Sequence, residues 1–165
     1  MADKTMDTYL NDHLAGSTLG TDLAKQIRDR AEGPLGRLME TLAAEIEEDR
    51  ETLIELMERM GTTKNPVKQA GAWMTEKASR AKFSGLSSGE PDTGLLMALE
   101  SLTLGVAGKG CMWRVLRRVQ DRYQALAGMD LDRLIERART QHAQLEKERI
   151  KAATDVLVGE PTAAP

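Results

Sequence analysis

Apolar positions in this chain recur at alternating intervals of three and four residues, the spacing that lines one face of an α-helix. Over residues 5–32 the inward set is Met6, Leu10, His13, Ser17, Gly20, Ala24, Ile27 and Ala31. Gly33-Pro34 breaks the pattern, with proline where a first helical turn accepts it, and a second seam follows through Met39, Leu42, Ile46, Asp49, Leu53, Leu56 and Met60. Gly61 fits the residue just past a helix end. Asn65-Pro66 then opens a shorter helix through Trp73, Met74, Ala78 and Ala81, stopping near Gly85. Asp92 caps a long helix with the seam Leu95, Leu99, Leu102, Val106, Lys109, Trp113, Leu116, Gln120 and Tyr123, predicted to end near Gly128. Asp130 caps the last helix, whose seam is Leu131, Ile135, Ala138, His142, Leu145, Arg149, Ala152 and Val156.

Two tight helical hairpins separated by a long connector predict an all-α, ferritin-like four-helix bundle with one long crossover that contains a shorter fifth helix. The connector has to return along the bundle, so the second and third long helices should be parallel and diagonal. Residues 1–158 form one domain in this reading, and 159–165 a frayed, flexible tail.

Composition narrows the class. Of 165 residues, 41% are hydrophobic and 30% charged, too apolar for a disordered chain and too polar for a membrane protein. One Phe, two Tyr and two Trp are too few for an all-β core. A net charge of -3 argues against a nucleic-acid binder. Cys111 is the only cysteine, which fits a reducing cytoplasm. No secretory leader is evident, and the apolar stretch around residues 95–113 carries Glu100 and Lys109, so no membrane span is expected.

The runs Tyr9-Leu10-Asn11-Asp12-His13-Leu14-Ala15-Gly16-Ser17, Ala72-Trp73-Met74-Thr75-Glu76-Lys77-Ala78-Ser79-Arg80 and Leu99-Glu100-Ser101-Leu102-Thr103-Leu104-Gly105, with Lys109 and Trp113-Arg114, resemble a family of small, uncharacterised bacterial helical-bundle proteins. The resemblance covers most of the chain and implies a ferritin-like bundle. It carries no established activity, so no catalytic residue transfers with it.

A ferritin-like di-metal centre draws one Glu from each of two helices and a Glu-x-x-His pair from each of the others. Here the first helix offers His13, the second Glu45, Glu48 and Asp49 without a histidine, and His142 follows Arg139 where a glutamate would stand. Levelling the helices instead places Ser17, Asp49, Lys109 and Arg149 at one height, a polar layer in an otherwise apolar core. Glu45 or Glu146 would supply a second negative charge. Two fixed cations beside those carboxylates suit an internal ion network better than a pair of metal ions. The expectation is therefore a non-enzymatic module without cofactor that contacts a protein partner or self-associates as a homodimer. The rival is an iron or manganese protein, an oxidase or iron handler, using His13, Asp49, His142 and Glu146. A third class binds a small molecule between helices. Gly16 and Gly20, against Gly105, Gly108 and Gly110, predict an unusually close approach of the first and third helices.

Overall fold

The computed structural model describes residues 3–62 and 91–158. Four helices fill most of that chain: α1 (Lys4–Arg30), α2 (Gly33–Arg59), α3 (Pro91–Arg118) and α4 (Leu131–Leu157). Local chemistry sets their ends. The Asp3 carboxylate accepts the Thr5 amide at 2.9 Å and caps α1, and Asp130 does the same for α4 through the Arg133 amide at 3.0 Å. Gly33 at φ +59° makes the tight turn into α2, where Pro34 occupies the first turn. At the far end Gly61, at φ +68°, lets the Thr62 amide return to the Met57 carbonyl at 2.9 Å, and the Thr62 hydroxyl donates to Asp7 of α1 at 2.7 Å.

The core falls into two apolar halves. In one, Leu10 and Leu14 of α1 meet Leu53 and Met57 of α2, Trp113 and Leu116 of α3, and Leu131 and Leu134 of α4. In the other, Ala24 and Ile27 meet Met39 and Leu42, Leu99 and Leu102, and Leu145. These memberships fix the directions: α1 and α4 run one way, α2 and α3 the other. Helix α1 packs on α2 and α3, and α4 packs on α3 and, more loosely, on α2. Leu42, Leu99, Trp113 and Leu116 are completely buried, each contributing roughly 1.5–3 kcal/mol by removal from water.

Three expectations need correction. Helix α3 ends at Arg118, ten residues before Gly128, and the chain turns through two short 3₁₀ segments, Gln120–Arg122 and Gln124–Leu126. Gln120 and Tyr123 therefore leave the helix. Along α4 the buried set is Leu131, Leu134, Ala138, Gln141 and Leu145, while Ile135 and His142 sit half-buried beside it. Both stripes alternate three and four, so periodicity alone does not choose between them. The glycines also play a different part. A Cβ added at Gly16, Gly20, Gly105 or Gly108 would meet no atom within 4 Å, so no close helix contact among the described residues explains them. Gly110 does meet a neighbour, but it is the Ala138 side chain of α4 at 3.5 Å. The fifth helix at 66–85 and the tail at 159–165 lie outside the described residues.

Candidate functional site

Between the two apolar halves lies a polar layer centred on Asp49, whose side chain is 1% exposed. It comes from the α2 seam itself, one turn beyond Ile46 and one before Leu53, so the helix aims the carboxylate into the core. Lys109 of α3 reaches it across the bundle, donating from Nζ to Asp49 Oδ2 at 2.5 Å and to Gln141 Oε1 at 2.6 Å. The guanidinium of Arg137 on α4 donates to the other Asp49 oxygen and also pairs with Glu48 at 2.9 Å. Gln141, completely buried, turns its amide nitrogen to Glu45 Oε2 at 2.9 Å. The chain of contacts Glu48, Arg137, Asp49, Lys109, Gln141, Glu45 thus passes between α2, α3 and α4.

Helix α1 borders the layer with hydroxyls. Ser17 donates to the Leu14 carbonyl of its own helix at 2.7 Å, not to Asp49. Thr18 accepts from Arg50 Nε at 3.3 Å. The structure therefore brings together Asp49 and Lys109, sixty positions apart, and leaves Ser17 bonded within α1. Arg149, expected in this layer, stands elsewhere: it pairs with Glu146 at 2.7 Å and Glu100 at 3.2 Å on the partly exposed α3–α4 flank. The early end of α3 accounts for the shift. A turn at Gly128 would set Arg149 level with Lys109; with α3 ending at Arg118, Gln141, about two helical turns before Arg149, takes that level instead. The sequence signal for Gln141 is the competing stripe Leu134, Ala138, Gln141 and Leu145; Arg137 and Glu48 lie outside both seams and carry no such signal.

Burial and charge act against each other here. Desolvation pulls the Lys109 ammonium below its ordinary pKa, and Asp49 opposes that only in part. Burial also works against the charge of Arg137, yet Asp49 and Glu48 more than offset it and hold the guanidinium above its ordinary value. A buried carboxylate with two cations is tolerated because each partner is desolvated against the other. Arg137 Nε is buried without a hydrogen-bond partner, as are Thr21 Oγ1 and the Trp113 indole nitrogen.

The four residues of the metal reading do not converge. Asp49 is held by Lys109 and Arg137, and Glu146 by Arg149, whose hydrogen bond keeps the Glu146 carboxyl below the usual range with help from nearby His142. His13 packs edge-on against Tyr9, with ring centroids 4.6 Å apart, and burial lowers its pKa. Among the described residues no three His, Cys, Asp or Glu side chains group to hold a metal ion. Two open surface grooves flank one end of the bundle. The smaller, about 220 Å³, lies between Thr52, Glu55 and Arg59 of α2, the capping residue Asp130 and Arg133 of α4. The larger, about 420 Å³, is bounded by Asp3, Asp7, Arg59, Thr62 and Tyr123.

Comparison with protein-family models, with curated proteins and with solved structures returns no match for this chain. What it does has to be argued from the layer and the surface.

Proposed function

We propose that this chain is a non-enzymatic helical-bundle protein of the cytoplasm, acting as an interaction or structural module, with a buried charge network standing where ferritin-like proteins hold a di-metal centre. The arrangement proposed is ferritin-like, with the long crossover between α2 and α3, in keeping with the resemblance to small bacterial helical-bundle proteins. The observation that carries the reading is the state of Asp49: both carboxylate oxygens are engaged by fixed cations from two other helices. A carboxylate so neutralised is a poor metal ligand, since a divalent ion would have to displace Lys109 or Arg137 and leave it buried and unpaired. The network's role in this reading is register. It admits one alignment of α2, α3 and α4, whereas the apolar halves alone tolerate slippage by a helical turn.

Metal analysis tests it. Protein purified without chelator is expected to hold far less than one equivalent of any transition metal. Near-stoichiometric iron or manganese, lost on His142→Ala, would overturn the proposal in favour of a metalloprotein using His13, Asp49, His142 and Glu146.

A further inference from the structure

Helix α3 turns an unusual face to solvent. Directly opposite its buried seam run Met97, Ser101, Leu104, Gly108, Cys111 and Val115, again spaced four, three, four, three, four. None is charged. Leu104 is 65% exposed, Val115 45% and Met97 43%. This alternation is the seam of a helix pair, and here it repeats on the side facing away from the protomer's own core. Residues Thr93–Arg118 are also long and apolar enough to cross a membrane by length and composition.

We propose that this face binds the α3 helix of a second copy, antiparallel, about a two-fold axis passing between Leu104 and Gly108. The sequence of the stripe carries the assignment. A two-fold interface must be complementary to itself, and an antiparallel pair sets each position of one type against the other type on its partner. Reversed about that point, Leu104 lies opposite Gly108, Ser101 opposite Cys111 and Met97 opposite Val115. Each larger side chain thereby meets a smaller one. The flank carries opposite charges: Glu100, which pairs with Arg149 at 3.2 Å in its own protomer, and Arg114, whose guanidinium donates to Cys111 Sγ at 3.2 Å, come level with each other across the two copies to within about half a turn, so Arg114 would add to the charge facing Glu100.

Two further observations fit. Gly108, on the stripe, stands where a Cβ would meet no atom within 4 Å, a conformational penalty with no return among the described residues. Close approach of a second backbone supplies the return. Ser101 spends its hydroxyl on the Met97 carbonyl at 2.9 Å, so it brings no unpaired donor into a dry contact. The stripe is about 27 Å long, and with its flanks an antiparallel pair buries roughly 400–500 Å² per protomer, near the lower bound for a specific interface. An interface of this size belongs with weak, transient contacts.

This inference rests on the interaction-module reading and names its partner. Sedimentation velocity of the full chain from about 1 to 200 µM, repeated for Leu104→Glu, tests it together with cross-linking by oxidised glutathione. Wild type should pass from monomer to dimer across that range, and Leu104→Glu should stay monomeric with unchanged helical circular dichroism. In the antiparallel register the two Cys111 residues are about 15 Å apart along the axis, so wild type should form few disulfide dimers, while Ser101→Cys, facing Cys111 of the other copy, should cross-link readily. A monomer at 200 µM, with or without binding to lipid vesicles, overturns the proposal. So does a dimer that Leu104→Glu leaves intact, or wild-type chains cross-linking through Cys111 as fast as Ser101→Cys. None of these results bears on the metal-free network, which metal analysis tests separately.

Discussion

Removing the Asp49 carboxylate should be the most damaging single change in the polar layer. Asp49→Ala leaves Lys109 and Arg137, with side chains 13% and 15% exposed, without the acid that both share. Losing one partner of a buried pair typically costs about 3–5 kcal/mol, because the remaining charge stays desolvated. The residual contacts decide where in that range the value falls. Arg137 keeps Glu48 at 2.9 Å, and Lys109 keeps the Gln141 carbonyl at 2.6 Å, so the lower end, about 3 kcal/mol, is expected. In urea denaturation followed by circular dichroism, with a slope of about 2 kcal/mol per molar, the midpoint should fall by about 1.5 M. The contrasting variant replaces Asp49, Lys109, Arg137 and Gln141 together with Leu or Met. It should be neutral or more stable, since no fully buried charge is left behind: Glu48, which loses Arg137, is exposed, and Glu45, which loses Gln141, is half-buried. An Asp49→Ala loss below about 1 kcal/mol would mean that the carboxylate is effectively solvated, and would refute the reasoning.

Other outcomes follow from the same geometry. Arg149→Ala should move the urea midpoint far less than Asp49→Ala, because its partners Glu146 and Glu100 are 39% and 46% exposed; an equal shift would restore Arg149 to the layer. Gly16→Ala and Gly20→Ala should each stabilise by roughly 0.5–1 kcal/mol, as helix propensity improves and the added Cβ meets nothing, whereas Gly36→Ala should destabilise because its Cβ would lie 2.6 Å from the Ala31 carbonyl oxygen. Calorimetric melting of these three variants reads both signs. Burial lowers the His13 pKa, so between that depressed value and about 6.5 the unfolded chain binds more protons than the folded one. His13 should therefore cost stability as the pH falls below about 6.5, and His13→Gln should flatten the dependence of Tm on pH between 7.5 and 5. Parallel curves for the two proteins would show that His13 titrates as it does in water.

Much of this arrangement is legible in the residue pattern, for a physical reason. Long helices with a three-four repeat declare themselves, and Gly33-Pro34, Gly61 and Asp130 mark ends through backbone chemistry that operates locally. Asp49 and Lys109 stand out because each is a charge inside an apolar seam, and the hairpin geometry carries them to one height. What escaped depended on features without a strong local signal. The end of α3 at Arg118 is set by no proline or glycine. Val119 to Tyr123 continue the helical repeat, yet their chain folds back so that Leu126 can be buried in the core. That early turn displaced Arg149 from the layer and brought in Gln141. Arg137 lies off the seam altogether and enters the layer only because its long side chain reaches sideways between α2 and α4. The glycines had the opposite problem: their spacing signals close approach, yet a Cβ at Gly16, Gly20, Gly105 or Gly108 would meet no atom within 4 Å among the described residues.

The central claim is that Asp49 and Lys109 are partners across the core, and a double-mutant cycle measures that directly. Asp49→Asn, Lys109→Met and the double variant are unfolded in urea under identical conditions, and the coupling free energy is taken from the four stabilities. The ion layer predicts a coupling above about 1 kcal/mol, with the double variant more stable than the sum of the single losses implies. Additivity within about 0.5 kcal/mol would contradict it, and would place the two charges in separate, solvated surroundings.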